Sequence, residues 1–222
     1  MTTPKSGLPS TLTTTCLICA LTSPGLALAA EPTAPCAMPD RSGSQTYELA
    51  VVTVTSTLRP SMITPACAGA EPVCVGPTVL SASSQVLAGA TTGGWRCVTF
   101  RAGSASLVSA WTPATNLRVT ATPTPSWAGV WSSQEADLSL TLHGAAVHAS
   151  GTATHAFLSS IHMGEIDADA QPVGRDLRLS EGPCLVSLTV LGDWLLASDN
   201  YACGGVNVTF GGLYWRQRTS AP

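Results

Sequence analysis

Lysine is almost missing from this chain of 222 residues: Lys5 is the only one, and charged residues of every kind make up 10% of the sequence. The other basic residues are arginines, and the formal net charge is −3. No basic patch is present, so nucleic acid and anionic membrane surfaces are not expected partners. Helical periodicity is nearly absent after the N-terminal segment, which points to an all-β chain. No later apolar run approaches the ~20 residues that a spanning helix needs. Catalytic signatures are missing too. There is no G-x-S-x-G elbow, no H-E-x-x-H pair and no isolated pair of acids in an aromatic setting. We therefore expect no enzyme, no cofactor and no metal centre.

What is present begins with an export signal. Lys5 forms a weakly basic start, Leu12–Leu21 is uncharged and largely apolar or small, and Pro24-Gly25 follows. Ala27-Leu28-Ala29 places small residues where a signal peptidase reads. Residues 1–29 are expected to be a signal peptide cleaved near Ala29. The abundance of Ala, Thr, Ser and Gly with arginine in place of lysine suggests a GC-rich bacterial genome. The expected location is the periplasm or the exterior.

Cleavage would remove Cys16 and Cys19 and leave Cys36, Cys67, Cys74, Cys97, Cys184 and Cys203. An even number in an exported chain reads as three disulfides. A Pro/Thr stretch, residues 121–126, separates the first four cysteines from the last two and is expected to be an extended linker. The boundaries that follow are 30–120 for a first β domain, 127–218 for a second antiparallel β domain and 219–222 for a tail. Cys184 and Cys203 are then each other's expected partners, on neighbouring strands. Four cysteines in the first region allow three connectivities, with Cys97 joined either to Cys36 or to one of Cys67 and Cys74.

Short alternating runs bounded by Gly, Pro, Asp or Asn recur throughout. They include 47–58, 79–87, 95–100, 138–142, 146–149, 152–157, 164–170, 176–179, 184–191, 194–198 and 206–215. Many short strands imply a sandwich or small barrel.

Two stretches carry resemblances. Gly89 to Gly94 is a glycine-rich turn, Trp95-Arg-Cys-Val-Thr-Phe100 a Trp-led strand, and Ala110-Trp111-Thr-Pro a closing segment ending at Leu117. This order resembles a bacterial SH3-like (SH3b) domain, with Ala110 where that family usually has glycine. The resemblance implies a small five-stranded barrel that binds peptidoglycan peptide or an envelope protein, with Trp95 and Trp111 as candidate ligand-contacting aromatics. Packing is the alternative role for both, and small barrels readily use tryptophan in this way. Trp127-Ala-Gly-Val-Trp131 resembles the first strand of small up-and-down barrels, where a Trp closes the floor. The ending Asp199-Asn-Tyr-Ala-Cys203-Gly-Gly-Val-Asn-Val-Thr-Phe-Gly-Gly-Leu-Tyr-Trp-Arg216 resembles a C-terminal module of uncharacterised exported proteobacterial proteins. His162-Met-Gly-Glu165 fits the same module's upstream segment. The module implies no activity, and some of its relatives sit beside domains of the lysozyme-inhibitor type.

The module's ending reads first as structural. Asp199-Asn200 is a turn former, Gly204-Gly205 suits positive φ or a bulge, and Asn207 is placed to bond the turn backbone. Glu165, Asp167 and Asp169 alternate with apolar residues and should share one strand face, solvated and within reach of Arg175 and Arg178. His143, His148, His155 and His162 lack chelating helical spacing, and parity along a strand would put His143 and His148 on opposite faces. The expected function is a non-enzymatic binding protein whose SH3-like module engages cell-wall peptide or an envelope protein. The alternative is an inhibitor or immunity protein that blocks a lytic hydrolase such as lysozyme through an acidic loop or strand face.

Overall fold

The computed structural model describes residues 35–36, 46–59, 79–102 and 106–217. The signal segment, Cys67, Cys74 and the 219–222 tail lie outside the described residues. The described residues are almost wholly β-structure, and their strand pairs are antiparallel. The strands are β1 (Glu48–Val52), β2 (Ser56–Thr57), β3 (Val79–Leu80), β4 (Gln85–Thr92), β5 (Trp95–Ala102), β6 (Ser106–Pro113) and β7 (Leu117–Val119). They continue with β8 (Gly129–Ser132), β9 (Ala136–His143), β10 (Ala146–Phe157), β11 (Ser160–Ala170), β12 (Asp176–Glu181), β13 (Cys184–Leu191), β14 (Trp194–Asp199) and β15 (Gly212–Arg216).

The C-terminal strands form an up-and-down meander in which the first strand pairs with the last, in the order β11-β10-β9-β8-β15-β14-β13-β12. Only β11 and β12 lack a ladder between them, so the sheet is a near-barrel. A side chain bridges that seam: the Asp167 N–H donates to the Glu181 carboxylate at 2.7 Å. Period-2 alternation explains the curvature. Leu138, Leu140, Val147, Ala149, Ala153, Ile166, Leu177, Leu179, Val186, Leu188 and Val190 point inward and are buried. Asp137, Thr152, Glu165, Asp167 and Arg178 point outward. This apolar interior and polar exterior reverse the pattern of a membrane barrel. No helix among the described residues is long and apolar enough to cross a membrane.

Both barrel ends are closed. At one, Trp131 is 0% exposed and donates its indole N–H to the Trp127 carbonyl at 3.0 Å. The Arg216 guanidinium lies over the Trp131 ring, 4.1 Å from its centroid, and donates to the carbonyls of Ser126 and Ala128. Gly129, at φ +145°, makes this possible, since a Cβ there would come within 2.8 Å of that guanidinium. At the other end, the loop between β14 and β15 drops Val208 and Phe210 into the core, and the Tyr214 hydroxyl donates to the Phe210 carbonyl at 2.7 Å.

The N-terminal strands give a five-stranded sheet, β6-β5-β4-β1-β7, beside the short pair β2-β3. Both faces of this sheet are covered. Ala50, Val86, Ala88, Val98 and Phe100 pack with Leu58 and Leu80. On the other face Tyr47, Leu49 and Leu87 pack against Leu191, Trp194, Leu213 and Trp215 of the barrel. Full burial of each leucine there is worth roughly 1.5–3 kcal/mol. The Arg101 guanidinium over the Trp215 ring, at 5.2 Å, adds a cation–π contact across the same junction. Residues 121–126 between the two sheets are irregular and exposed.

Several strand bounds differ from expectation. The runs 146–149 and 152–157 form one strand, β10, because Ser150 and Gly151 continue its ladder with β9 and β11. Of the run 206–215, only the part from Gly212 pairs, because the earlier residues plug the barrel end.

Candidate functional site

Cys36 and Cys97 are joined in a disulfide that closes 61 residues, and Cys184 is joined to Cys203 across 19. The first pairing resolves which cysteine Cys97 takes. The second matches the expected partners, but not their setting. Cys203 lies in the loop after β14, not on a strand, so the bridge staples that loop to the start of β13.

That loop is held by its Asp-Asn pair. Asp199 accepts from the Thr209 hydroxyl at 3.0 Å, the Phe210 N–H at 2.6 Å and the Tyr201 N–H at 3.1 Å. Asn200 accepts from the Leu185 N–H at 3.0 Å and donates to the Pro183 carbonyl at 2.8 Å. Tyr201 and Asn207 take positive φ. Gly204 and Gly205, for which positive φ is one of two expected roles, do not. Their requirement is close approach: a Cβ on Gly204 would lie 2.6 Å from the Gly164 Cα, and one on Gly164 would lie 2.1 Å from the Cys203 carbonyl oxygen. The Gly205 N–H donates to the Met163 carbonyl at 3.2 Å. The segments 162–165 and 199–216 therefore touch, and their glycines mark the contact.

The two candidate aromatics have different surroundings. Trp111 is 1% exposed and packs on the Cys36–Cys97 bridge. Trp95 is half-buried at the edge of the same cluster, with the Arg59 guanidinium 5.8 Å from its ring centroid. Neither indole N–H has a hydrogen-bond partner among the described residues. A depression of about 470 Å³ opens beside Trp111, bounded also by Pro35, Tyr47, Gly89, Ala90 and Cys97; Trp95 does not line it.

A second depression, about 430 Å³, lies on the outer wall of the barrel across β9 to β12. Its acids are Asp137, Glu165, Asp167 and Glu181, interleaved with the hydroxyls of Ser139, Ser150 and Thr152. Glu165 and Asp167 are exposed, as expected for one face of β11, and Asp169 continues that row. Among the described residues no ion pair joins this row to Arg175 or Arg178. The nearby bases are imidazoles instead, since strand register sets His148 directly opposite Asp169. Asp137 and Glu181 escaped sequence reasoning because they stand on separate strands, which only the barrel topology brings together.

The histidines also differ from expectation. His143 and His148 are on one face, with their rings stacked at 5.3 Å and 8°. Strand parity does not apply, because Gly144, at φ +65°, turns the chain between them. His143 then pairs with Ala146, and His148 follows two residues along the same face of β10. The motif His-Gly-Ala-Ala-Val-His, read as a two-residue hairpin, carries that signal. His155 and His162 oppose each other on β10 and β11, and Gly205 packs on His162. Of these groups, His143, His148 and Asp169 bring three ligand atoms within 4.8 Å of one another.

No protein-family model matches the chain, and no curated protein or solved structure shows significant similarity to it.

Proposed function

We propose that this chain is an exported, non-enzymatic binding protein that acts in the periplasm or outside the cell through its outer surfaces. The observation that carries this reading is the filled barrel. Trp131, Leu138, Leu140, Ile166, Phe210 and Tyr214 occupy the space where a barrel-shaped carrier or enzyme would hold a ligand. The two disulfides among the described residues suit an oxidising compartment.

The partner class is a protein with a basic surface, and a cationic lytic hydrolase such as lysozyme fits it. The acidic wall supports this: four carboxylates line one shallow depression, and no arginine is ion-paired with them among the described residues. Opposite charge steers such encounters and loses strength as salt screens it over ~10 Å at 0.1 M. The test is calorimetric titration of lysozyme with the mature chain at low and high salt. Salt-sensitive binding that weakens in Glu165→Gln/Asp167→Asn supports the reading. Absence of binding at both salt concentrations removes it.

A second reading rests on the depression beside Trp111. An SH3-like module would engage cell-wall peptide there, against Tyr47 and the edge of Trp111. The five-stranded sheet is in keeping with that resemblance. Retention on peptidoglycan by the wild type but not by Trp111→Ala, with folding checked by circular dichroism, supports it, and no retention by either protein removes it.

A further inference from the structure

We propose that His143, His148 and Asp169 form a surface site for one divalent transition-metal ion of the zinc class. The three residues come from three adjacent strands, β9, β10 and β11. The Nδ1 of His148 lies 3.4 Å from an Asp169 carboxylate oxygen, and the Nδ1 of His143 lies 3.7 Å from the same oxygen. Donor atoms around a tetrahedral ion with bonds of about 2.0–2.1 Å sit a little over 3 Å apart. Small side-chain rotations of exposed groups therefore close the set. His143 and Asp169 are free to make them, with side chains 62% and 61% exposed. His148 is the anchored ligand, 26% exposed, and its Nδ1 makes no hydrogen bond among the described residues.

The surroundings of His148 are those of a metal ligand. Its other ring nitrogen, Nε2, lies 3.8 Å from the Asp167 carboxylate. The two are not hydrogen-bonded at that distance, but rotation of the exposed Asp167 side chain would let it accept from Nε2. A carboxylate so placed orients an imidazole and raises its basicity. Two imidazoles and one carboxylate suit zinc, copper or nickel and not calcium or magnesium, which take oxygen ligands. Water would complete the coordination on the solvent side. The site stands at the rim next to the acidic wall, so a bound cation would also lower the negative charge there.

The test is isothermal titration of the full mature chain with zinc chloride in a buffer that does not bind metal. Wild type is compared with His143→Ala, Asp169→Asn, Asp167→Asn and His155→Ala, each checked for folding by circular dichroism. The expected result is one zinc per chain, lost in His143→Ala and in Asp169→Asn. Asp167→Asn should weaken binding about 10-fold to 100-fold, the usual effect of removing an orienting carboxylate. His155→Ala, which alters the other histidine pair, should bind as the wild type does. Absence of micromolar zinc binding by the wild type overturns the proposal. So does binding that survives His143→Ala or is abolished by His155→Ala. A basic-protein partner is not required for any of these outcomes, so they are independent of the proposed function.

Discussion

The two sheets solve the same problem differently. The C-terminal barrel pairs almost every strand edge and fills its interior. It closes its ends with Trp131 under Arg216 and with the Asp199-organised loop. The N-terminal sheet keeps β7 as an edge and, among the described residues, covers β6 only through the Arg59–Trp111 bridge. It has a core rich in Val and Ala and carries a long-range disulfide. One of its faces is covered by the outside of the barrel, through Leu213, Trp215 and Trp194. The barrel is thus a scaffold complete in itself, and the smaller sheet is built against it. Sheets that cannot bury enough apolar area commonly add staples or borrowed surface.

The comparison is most open to attack at the barrel floor. Trp131→Ala should cost about 3–5 kcal/mol and should melt both sheets together, as followed by denaturant unfolding. Opening the Cys36–Cys97 bridge with paired serines should cost about 4 kcal/mol in the chain-entropy model and act on the smaller sheet alone. Hydrogen exchange resolves this: amides of β4 and β5 should lose protection while those of β9 and β10 keep it. A uniform loss across both sheets would show that they are equal partners.

Gly164→Ala should cost about 1–3 kcal/mol, because its Cβ meets the Cys203 carbonyl. The damage should stay in the loop after β14, visible as faster exchange of the Phe210 and Gly205 amides. Smallest of all, Glu165→Gln/Asp167→Asn on the solvent side of the barrel should shift stability by no more than about 0.5 kcal/mol. That near-neutrality makes the double variant a clean probe of binding.

The sequence made the strand pattern legible because period-2 alternation survives wherever one face is buried, as in β9, β12 and β13. The Cys184–Cys203 bridge was legible because no other cysteine follows the linker. Other features depended on register or distance. Cys97 had three candidate partners, and only the fold, which brings the Cys36 and Cys97 Cα atoms to 5.2 Å, selects Cys36. Gly204 reads as a turn residue, yet its role is contact with Gly164, forty positions away. The acidic wall was half legible: Glu165 and Asp167 are two apart on one strand, whereas Asp137 and Glu181 join them only through the barrel's order. The histidine cluster was hidden by treating two strands of a hairpin as one run.

The central claim is that this chain acts by binding through its outer wall, with a basic protein as partner. Lysozyme turnover, measured with increasing wild-type protein or Glu165→Gln/Asp167→Asn at low salt, tests it most directly. The account predicts stoichiometric loss of turnover with the wild type, with relief in the double variant and at high salt. Turnover unchanged at excess wild-type protein would contradict it.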